Sequence, residues 1–519
     1  MISSSSLPLL LPLMICIPIV VAIFLIIIRN EFICWLASIF IPLLVLSLAI
    51  YLLLNLHLQP LRFTFGNFAA KIGIEYKLTV VNLYFIILTA IIAFVTALWG
   101  KKIVQLEIYK EKVNLFYALF LLCFAGFLGI LITNDIFNLF VFLEISALAS
   151  YILIALGNKK QGPLTSFNYL IIGTLGASFY VLGVGILYIL FGNLNIDVLI
   201  PLLQNYTINP LFVLGCVFII CGICIKLSVF PLFWILPRIY KDSPTAVAAL
   251  LSGLSVNVFI YVFLKIVVGT LFKNPYLDAA LLFNFIIVLS IFSIFVGGIL
   301  AVKQNDLKLL LGFSSVSQFG FILLGLGIFN LQSFSAAMFI LLSHALVKTG
   351  LFLCVGNLIL VFGKEKLISL KGLGHKAPFT FFTLIFLSLS LAGIPGTSGF
   401  WGKLYLIISA FQSPFWFLGI IIIIGGLFSF YYAWKLIENL WINTDTQSNI
   451  AFNHGNHHNE VSNSNISSPV SIIGNNILPL YMNLSLLIVI ALNITITFYP
   501  ELFYYYIQQI MSDLLITKS

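Results

Sequence analysis

The stretch Ile225-Lys226-Leu227-Ser228-Val229-Phe230-Pro231-Leu232-Phe233-Trp234-Ile235-Leu236-Pro237 places one ammonium group in a run that is otherwise apolar, and follows it with two prolines. The apolar run extends back to Pro210, long enough for a membrane span, which needs roughly 20 such residues. A proline removes a helical hydrogen bond and clashes with the turn before it, so the span is broken just beyond its lysine. A charge at mid-bilayer costs about 2.5–3.5 kcal/mol on insertion scales. Broken backbone at that depth is tolerated only where it is buried in protein or lines a hydrated cavity. The stretch therefore predicts a polytopic membrane protein with a functional group in its interior.

Composition extends that reading to the whole chain. Of 519 residues, 61% are hydrophobic and 8% charged, against roughly 25% charged in a soluble domain. The mean hydropathy is +1.16. A soluble enzyme, a nucleic-acid binder and a disordered chain are excluded, and the net charge of +9 is read through membrane rules. By the length criterion the chain holds about 14 spans: 7–28, 32–54, 79–99, 113–131, 134–156, 165–192, 210–235, 244–270, 277–301, 307–329, 333–362, 379–410, 414–440 and 475–498. The first span has no basic residue ahead of it and no small-residue cleavage site after it, so it is expected to be retained. The longest polar stretch, Asn443 to Ser468, carries His454, His457 and His458 and reads as a solvated loop, not a metal site. Glu501 to Leu515 reads as a short amphipathic tail. All the cysteines, including the Cys221/Cys224 pair, lie in apolar runs and read as small hydrophobic filler.

Basic residues set the expected orientation. The odd-numbered loops hold Arg29, Lys101, Lys102, Lys110, Lys112, Lys159, Lys160, Arg238, Lys241, Lys303, Lys308, Lys364, Lys366, Lys371, Lys376 and Lys435. The even loops and the C-terminal tail hold only Arg62, Lys71, Lys77, Lys265, Lys273 and Lys518. The positive-inside rule makes the odd loops cytoplasmic and puts both termini outside.

This assignment leaves Lys226, Lys348 and Lys403 inside spans, with Glu144 as the acidic residue central to its span. One carboxylate cannot neutralise three ammonium groups, so structural ion pairing does not account for the set. Desolvation makes a buried lysine readier to release its proton, which suits proton handling. His344 and Lys348 are four residues apart and share a helix face, and histidine titrates near neutral pH. Lys403 follows a second interruption, Gly393-Ile394-Pro395-Gly396. The interrupted spans, marked by Pro231 and by Pro395 and Gly396, are each the fourth of a block of five. Two such spans in matching places point to an inverted repeat. The expected fold is all-α, with two inverted five-helix repeats each holding a broken helix.

These residues resemble a known superfamily. Thr133-Asn134-Asp135-Ile136-Phe137-Asn138-Leu139-Phe140-Val141-Phe142-Leu143-Glu144 resembles the glutamate-bearing span of antiporter-like membrane subunits. The Lys226 stretch with Ser243-Pro244-Thr245 is similar to their broken lysine helix and the turn after it. Asp306-Leu307-Lys308 with Ser314-Ser315-Val316-Ser317-Gln318, then Ser343-His344-Ala345-Leu346-Val347-Lys348, then Ser398-Gly399-Phe400-Trp401-Gly402-Lys403 complete the set in order. The superfamily comprises the proton-pumping membrane subunits of respiratory complex I (NADH-quinone oxidoreductase), those of membrane-bound hydrogenases, and the large subunits of Mrp-type cation/proton antiporters. Leu7-Pro8-Leu9-Leu10-Leu11-Pro12, Gly66-Asn67-Phe68 with Ile72-Gly73-Ile74-Glu75, Tyr169-Leu170 with Gly173-Thr174, and Gly192-Asn193-Leu194 resemble the Mrp D-subunit branch, as does the lysine at Lys403.

The resemblance implies a mid-membrane proton relay in which Glu144 modulates Lys226, His344 and Lys348 continue the path, and Lys403 ends it. It implies a Na+ or other monovalent cation/proton antiporter subunit in the cell inner (plasma) membrane, embedded in lipid, with partner subunits and no cofactor, metal or nucleic acid. The alternatives are a redox-driven complex I or hydrogenase subunit and, less favoured, a stand-alone organic-solute carrier. No redox centre of the chain's own is expected, so it reads as a transporter subunit and not an enzyme. The expected division is 1–109, then repeats 110–270 and 271–441, then 442–519. One position departs from the family: Asn257 stands where a second lysine is usual, with Lys265 eight residues on. Asn257 and Lys265 are thus candidates for orienting water or relaying the proton across the centre.

Overall fold

The computed structural model describes residues 7–56, 59–68, 73–371, 376–439 and 478–515; the polar stretch with His454, His457 and His458 lies outside them. The N-terminal helices are α1 (Leu10–Ile27), α2 (Glu31–Asn55) and α3 (Val80–Glu107). A first block follows: α4 (Val113–Ile132), α5 (Ile136–Ala155), α6 (Gly162–Phe191), the short α7 (Ile196–Gln204), the broken pair α8 (Pro210–Lys226) and α9 (Ile235–Asp242), and α10 (Thr245–Val262). The second block is α11 (Ala279–Lys303), α12 (Leu307–Gly327), α13 (Leu331–Phe362), the broken pair α14 (Pro378–Ala392) and α15 (Ser398–Phe411), and α16 (Phe417–Ile437). Last come α17 (Leu480–Phe498) and α18 (Pro500–Leu515). Among the described residues, twelve helices are long and apolar enough to cross a membrane, and the two broken pairs complete the expected number of crossings.

Contacts between loops show that the chain runs back and forth. At one end Lys159 meets Glu365 at 2.7 Å and the Lys241 carbonyl at 2.9 Å, while Lys435 donates to the Val302 and Gln304 carbonyls. These are all odd-numbered loops or their rims. At the other end Tyr76 bridges to Thr133 and Asp135 to Asn195, all from even loops. The first helix of the second block therefore enters from the end opposite to that of the first block, the polarity an inverted repeat requires.

The chain adds one feature that the apolar pattern does not carry, a hairpin of β1 (Leu61–Thr64) and β2 (Glu75–Leu78) in antiparallel register. Arg62 lies opposite Lys77, a repulsive pairing offset by Asp197, which meets Arg62 at 2.6 Å and Lys77 at 2.7 Å. Glu75 is buried and accepts from Asn134 and Asn195 at 2.8 Å and from Arg62 at 2.9 Å. Burial alone would raise the Glu75 carboxyl, but the Asn195, Asn134 and Arg62 bonds outweigh it and hold the group below its usual range. For Asp197, burial is likewise outweighed by Lys77 and Arg62. Both carboxyls are thus depressed on folding, so their contribution is present above the ordinary carboxylate value of about 4 and is lost as pH falls through the folded value. Acidification below about pH 4 is expected to lower the protection factors of amides in the two strands several-fold, once exchange is corrected for its own pH dependence. Glu75→Gln should show faster exchange already at pH 7, and a hairpin equally protected at pH 7 and pH 3 would refute this.

Candidate functional site

Helices α6 and α8 approach closely because glycines face each other; a Cβ on Gly222 would sit 2.6 Å from the Gly176 carbonyl. Small residues of this kind let membrane helices pack backbone to backbone. The contact places Lys226, the last residue of α8, in the interior. Its Nζ lies 3.6 Å from Glu144 Oε1 on α5, and neither atom has a hydrogen-bond partner. A small space beside the amine is lined by Leu143, Gly176, Tyr180, Gly222 and Phe259, among others. Glu144 remains 22% exposed on the outward stripe of α5 that also shows Phe137, Val141, Leu148 and Ile152.

Helix α10 continues inward from this space and packs on α13. Asn257 is wholly buried on it; its amide donates to Thr89 Oγ1 at 3.2 Å and to the Phe85 carbonyl at 3.4 Å, while its Oδ1 has no partner. On α13, Lys348 is fully buried and donates to the Leu311 carbonyl at 2.6 Å and Ser314 Oγ at 2.5 Å. His344 lies one turn earlier, buried edge-on against Phe319, with both ring nitrogens unpartnered.

Lys403 sits across the second break. Its amine donates to the Leu391 and Ala392 carbonyls at 3.1 and 2.8 Å, the orphan acceptors at the negative end of the half-helix α14. Gly393 is required there twice over: its φ is +84°, and a Cβ would come within 2.8 Å of Lys403 Cδ. Pro395 and Gly396 occupy the interruption between α14 and α15, and Pro231 occupies the one between α8 and α9. A small space, of about the size of one water, lies between His344 and Lys403 and is lined also by Gln318, Ser343 and Ser390. Glu144 and Lys226 thus meet directly, and His344 and Lys403 share a cavity.

Lys265 goes elsewhere. It sits in a π-helical turn, Phe263–Val268, donates to the Thr133 carbonyl and lies over the Tyr261 ring at 5.4 Å, at the hairpin end of the bundle. Two charged residues escaped the sequence reading because they stand at span ends. Lys308 is completely buried 3.7 Å from Glu107, and Glu107 also accepts from the Thr245 hydroxyl and backbone amide. This pair clamps the Ser243-Pro244-Thr245 turn after the first broken helix, since Lys308 also donates to the Ser243 carbonyl. The only sequence signal for Lys308 was its place in the Asp306-Leu307-Lys308 stretch that resembles the superfamily.

The chain is similar to subunits of known membrane complexes. NADH-quinone oxidoreductase subunit N of Desulforudis audaxviator is 34% identical over 385 residues, covering 74% of this chain and 76% of that protein. The D-subunit of the Na(+)/H(+) antiporter of Alkalihalophilus pseudofirmus is 32% identical over 372 residues, covering 72% and 74%. A chain of the membrane-bound sulfane sulfur reductase, an archaeal respiratory membrane complex, superposes over 98% of each chain with a TM-score of 0.85 at 25% identity. Residues 133–429, which contain Glu144, both breaks and every buried lysine described above, match the transmembrane family described as NADH:quinone oxidoreductase/Mrp antiporter, and the chain belongs to that family.

Proposed function

We propose that this chain is a membrane subunit of a multisubunit monovalent cation (Na+)/proton antiporter, and that it conducts protons along Glu144, Lys226, Lys348, His344 and Lys403. The observation that carries the reading is this series of titratable groups, four of them buried, running from the flank of α5 through both broken helices. Two of its gaps are already narrow: 3.6 Å at Glu144–Lys226 and a shared cavity at His344–Lys403. Glu144 and Lys226 form a coupled pair whose protonation changes belong to both. Asn257 orients water between Lys226 and Lys348, and no cofactor is needed.

Several further assignments rest on the same reading. The lysine-rich end faces the cytoplasm of the inner (plasma) membrane and both termini face out, as the positive-inside rule directs. The chain divides into 1–109, two five-helix repeats at 110–270 and 271–441, and 442–519. Glu144, a charged residue on an apolar outward stripe, is covered by a partner subunit, because charge facing lipid is costly. Buried ammonium groups are poor neighbours for Na+, so the cation crosses at an interface with a partner. Chain-only vesicles that still exchanged Na+ would refute that. The chain is a transporter subunit and not itself an enzyme.

The 34% identity to a quinone oxidoreductase subunit favours a second reading, in which the same path is driven by a redox partner. The test is proton flux in everted vesicles holding the chain with its chromosomal neighbours. Added Na+ is expected to collapse a preset pH gradient, and Lys348→Ala to remove that response by about 100-fold or more while the complex stays assembled. A gradient indifferent to Na+ but built up by quinone reduction would select the redox reading. Full flux in Lys348→Ala would reject the relay.

A further inference from the structure

The cavity between His344 and Lys403 has a hydroxyl hub on one wall that neither group accounts for. Ser398, the first residue of α15, donates to Asn493 Oδ1 of α17 at 2.9 Å. Its oxygen lies 2.8 Å from Ser343 Oγ and 3.1 Å from Ser390 Oγ. All four side chains are buried. The Asn493 amide nitrogen is committed to the Val489 carbonyl at 2.9 Å, which turns its oxygen toward Ser398.

Counting donors fixes every proton in this hub. A serine hydroxyl has one donor and two acceptor lone pairs. Ser398 spends its proton on Asn493, so both contacts to its oxygen must be donated by Ser343 and Ser390. Those two hydroxyls then have no proton left for the cavity and offer it lone pairs only. Gly399 N–H fills one of the Ser390 pairs at 3.3 Å, leaving the other. Both serines line the cavity together with His344 and Lys403, and no carboxylate lines it among the described residues. His344, buried with both ring nitrogens unpartnered, faces the same space.

We infer that Asn493 is a positioning residue for proton transfer: it polarises the Ser398 hub so that Ser343 and Ser390 present acceptors to a protonated water between His344 and Lys403. The inference rests on the relay reading above and extends it to the last membrane span, beyond residues 133–429. The hub substitutes for the missing carboxylate, because several oriented lone pairs stabilise a transient cation where one neutral hydroxyl would not.

The test compares Na+-dependent proton flux and assembly for Lys403→Ala, Ser343→Ala, Ser398→Ala and the double variant Ser398→Ala/Asn493→Leu in the full complex. Ser398→Ala strands the buried Asn493 oxygen, which costs stability, whereas replacing both partners by apolar groups removes that penalty, and the Ser343 and Ser390 hydroxyls can turn to carbonyls of their own preceding helical turns. A purely structural hub predicts that the double variant regains assembly and flux together. The positioning role predicts that it regains assembly while flux stays down by about tenfold or more. Ser343→Ala strands no partner, and a several-fold loss of flux is expected from it too, so the answer does not depend on the double variant folding. Full flux in Ser343→Ala, or in the double variant, alongside loss in Lys403→Ala overturns the inference and leaves the relay standing. Full flux in Lys403→Ala overturns the relay reading itself.

Discussion

Replacing Lys226 by alanine is expected to reduce Na+-dependent proton flux by about 100-fold or more, with the complex still assembled. The ammonium and Glu144 stand 3.6 Å apart with no other partner for either facing atom. That is a separation for exchanging protonation through a small movement or a single water, not a closed ion pair. The informative companion is Lys226→Arg. Arginine keeps the charge and can pair with Glu144, but it does not deprotonate in proteins. If the lysine only held α8 to α5, arginine would preserve flux. If the lysine passes its proton on, arginine should lose flux almost as fully as alanine does. Glu144→Gln is expected to cost less, because it removes the modulating charge and leaves the carrier. Normal flux in Lys226→Arg would return the pair to a structural role.

Most of the candidate site could be read from the sequence because its groups violate a strong rule. Lys226, Lys348, Lys403 and Glu144 each sit well inside an apolar run, where charge is expensive, and Pro231, Pro395 and Gly396 mark where helices cannot continue. The same physics hid Lys308 and Glu107. They stand at helix ends, where a charge in solvent costs nothing, and only the fold of the Ser243–Thr245 turn over them makes them buried. The hairpin was illegible for a related reason: its strands are four residues each and are held by Asn134, Asn195 and Asp197 from distant loops. Lys265 lies in a π-helical turn and donates to the Thr133 carbonyl, a departure from regular helical spacing that the apolar pattern does not signal. Ser343, Ser390 and Ser398 carry no sequence signal as a hub, since serine in a membrane helix ordinarily satisfies itself on the preceding turn.

Asn257→Leu is expected to reduce flux about 100-fold, the second large effect, because α10 is where the two halves of the path must communicate. The helix lines the Lys226 space through Phe259 and Val262 and touches α13 closely enough that a Cβ on Gly253 would fall 2.4 Å from Thr349 Oγ1, next to Lys348. Asn257 cannot carry a proton, but its unpartnered Oδ1 is an acceptor in an otherwise apolar interior. A buried acceptor of that kind costs about 1–3 kcal/mol unless water reaches it, so its persistence at this position fits a water held between the two lysines. Leucine has the same number of side-chain heavy atoms and the same branch point and removes the acceptor, so the fold should survive at a modest packing cost while the water loses its anchor. Asn257→Lys places the usual family residue there and should keep flux at or above the parent level. Unchanged flux in Asn257→Leu would mean that protons do not cross between the halves beside α10. The Lys226 and Lys348 segments would then act as separate half-paths, and each lysine substitution would remove only its own share of the flux.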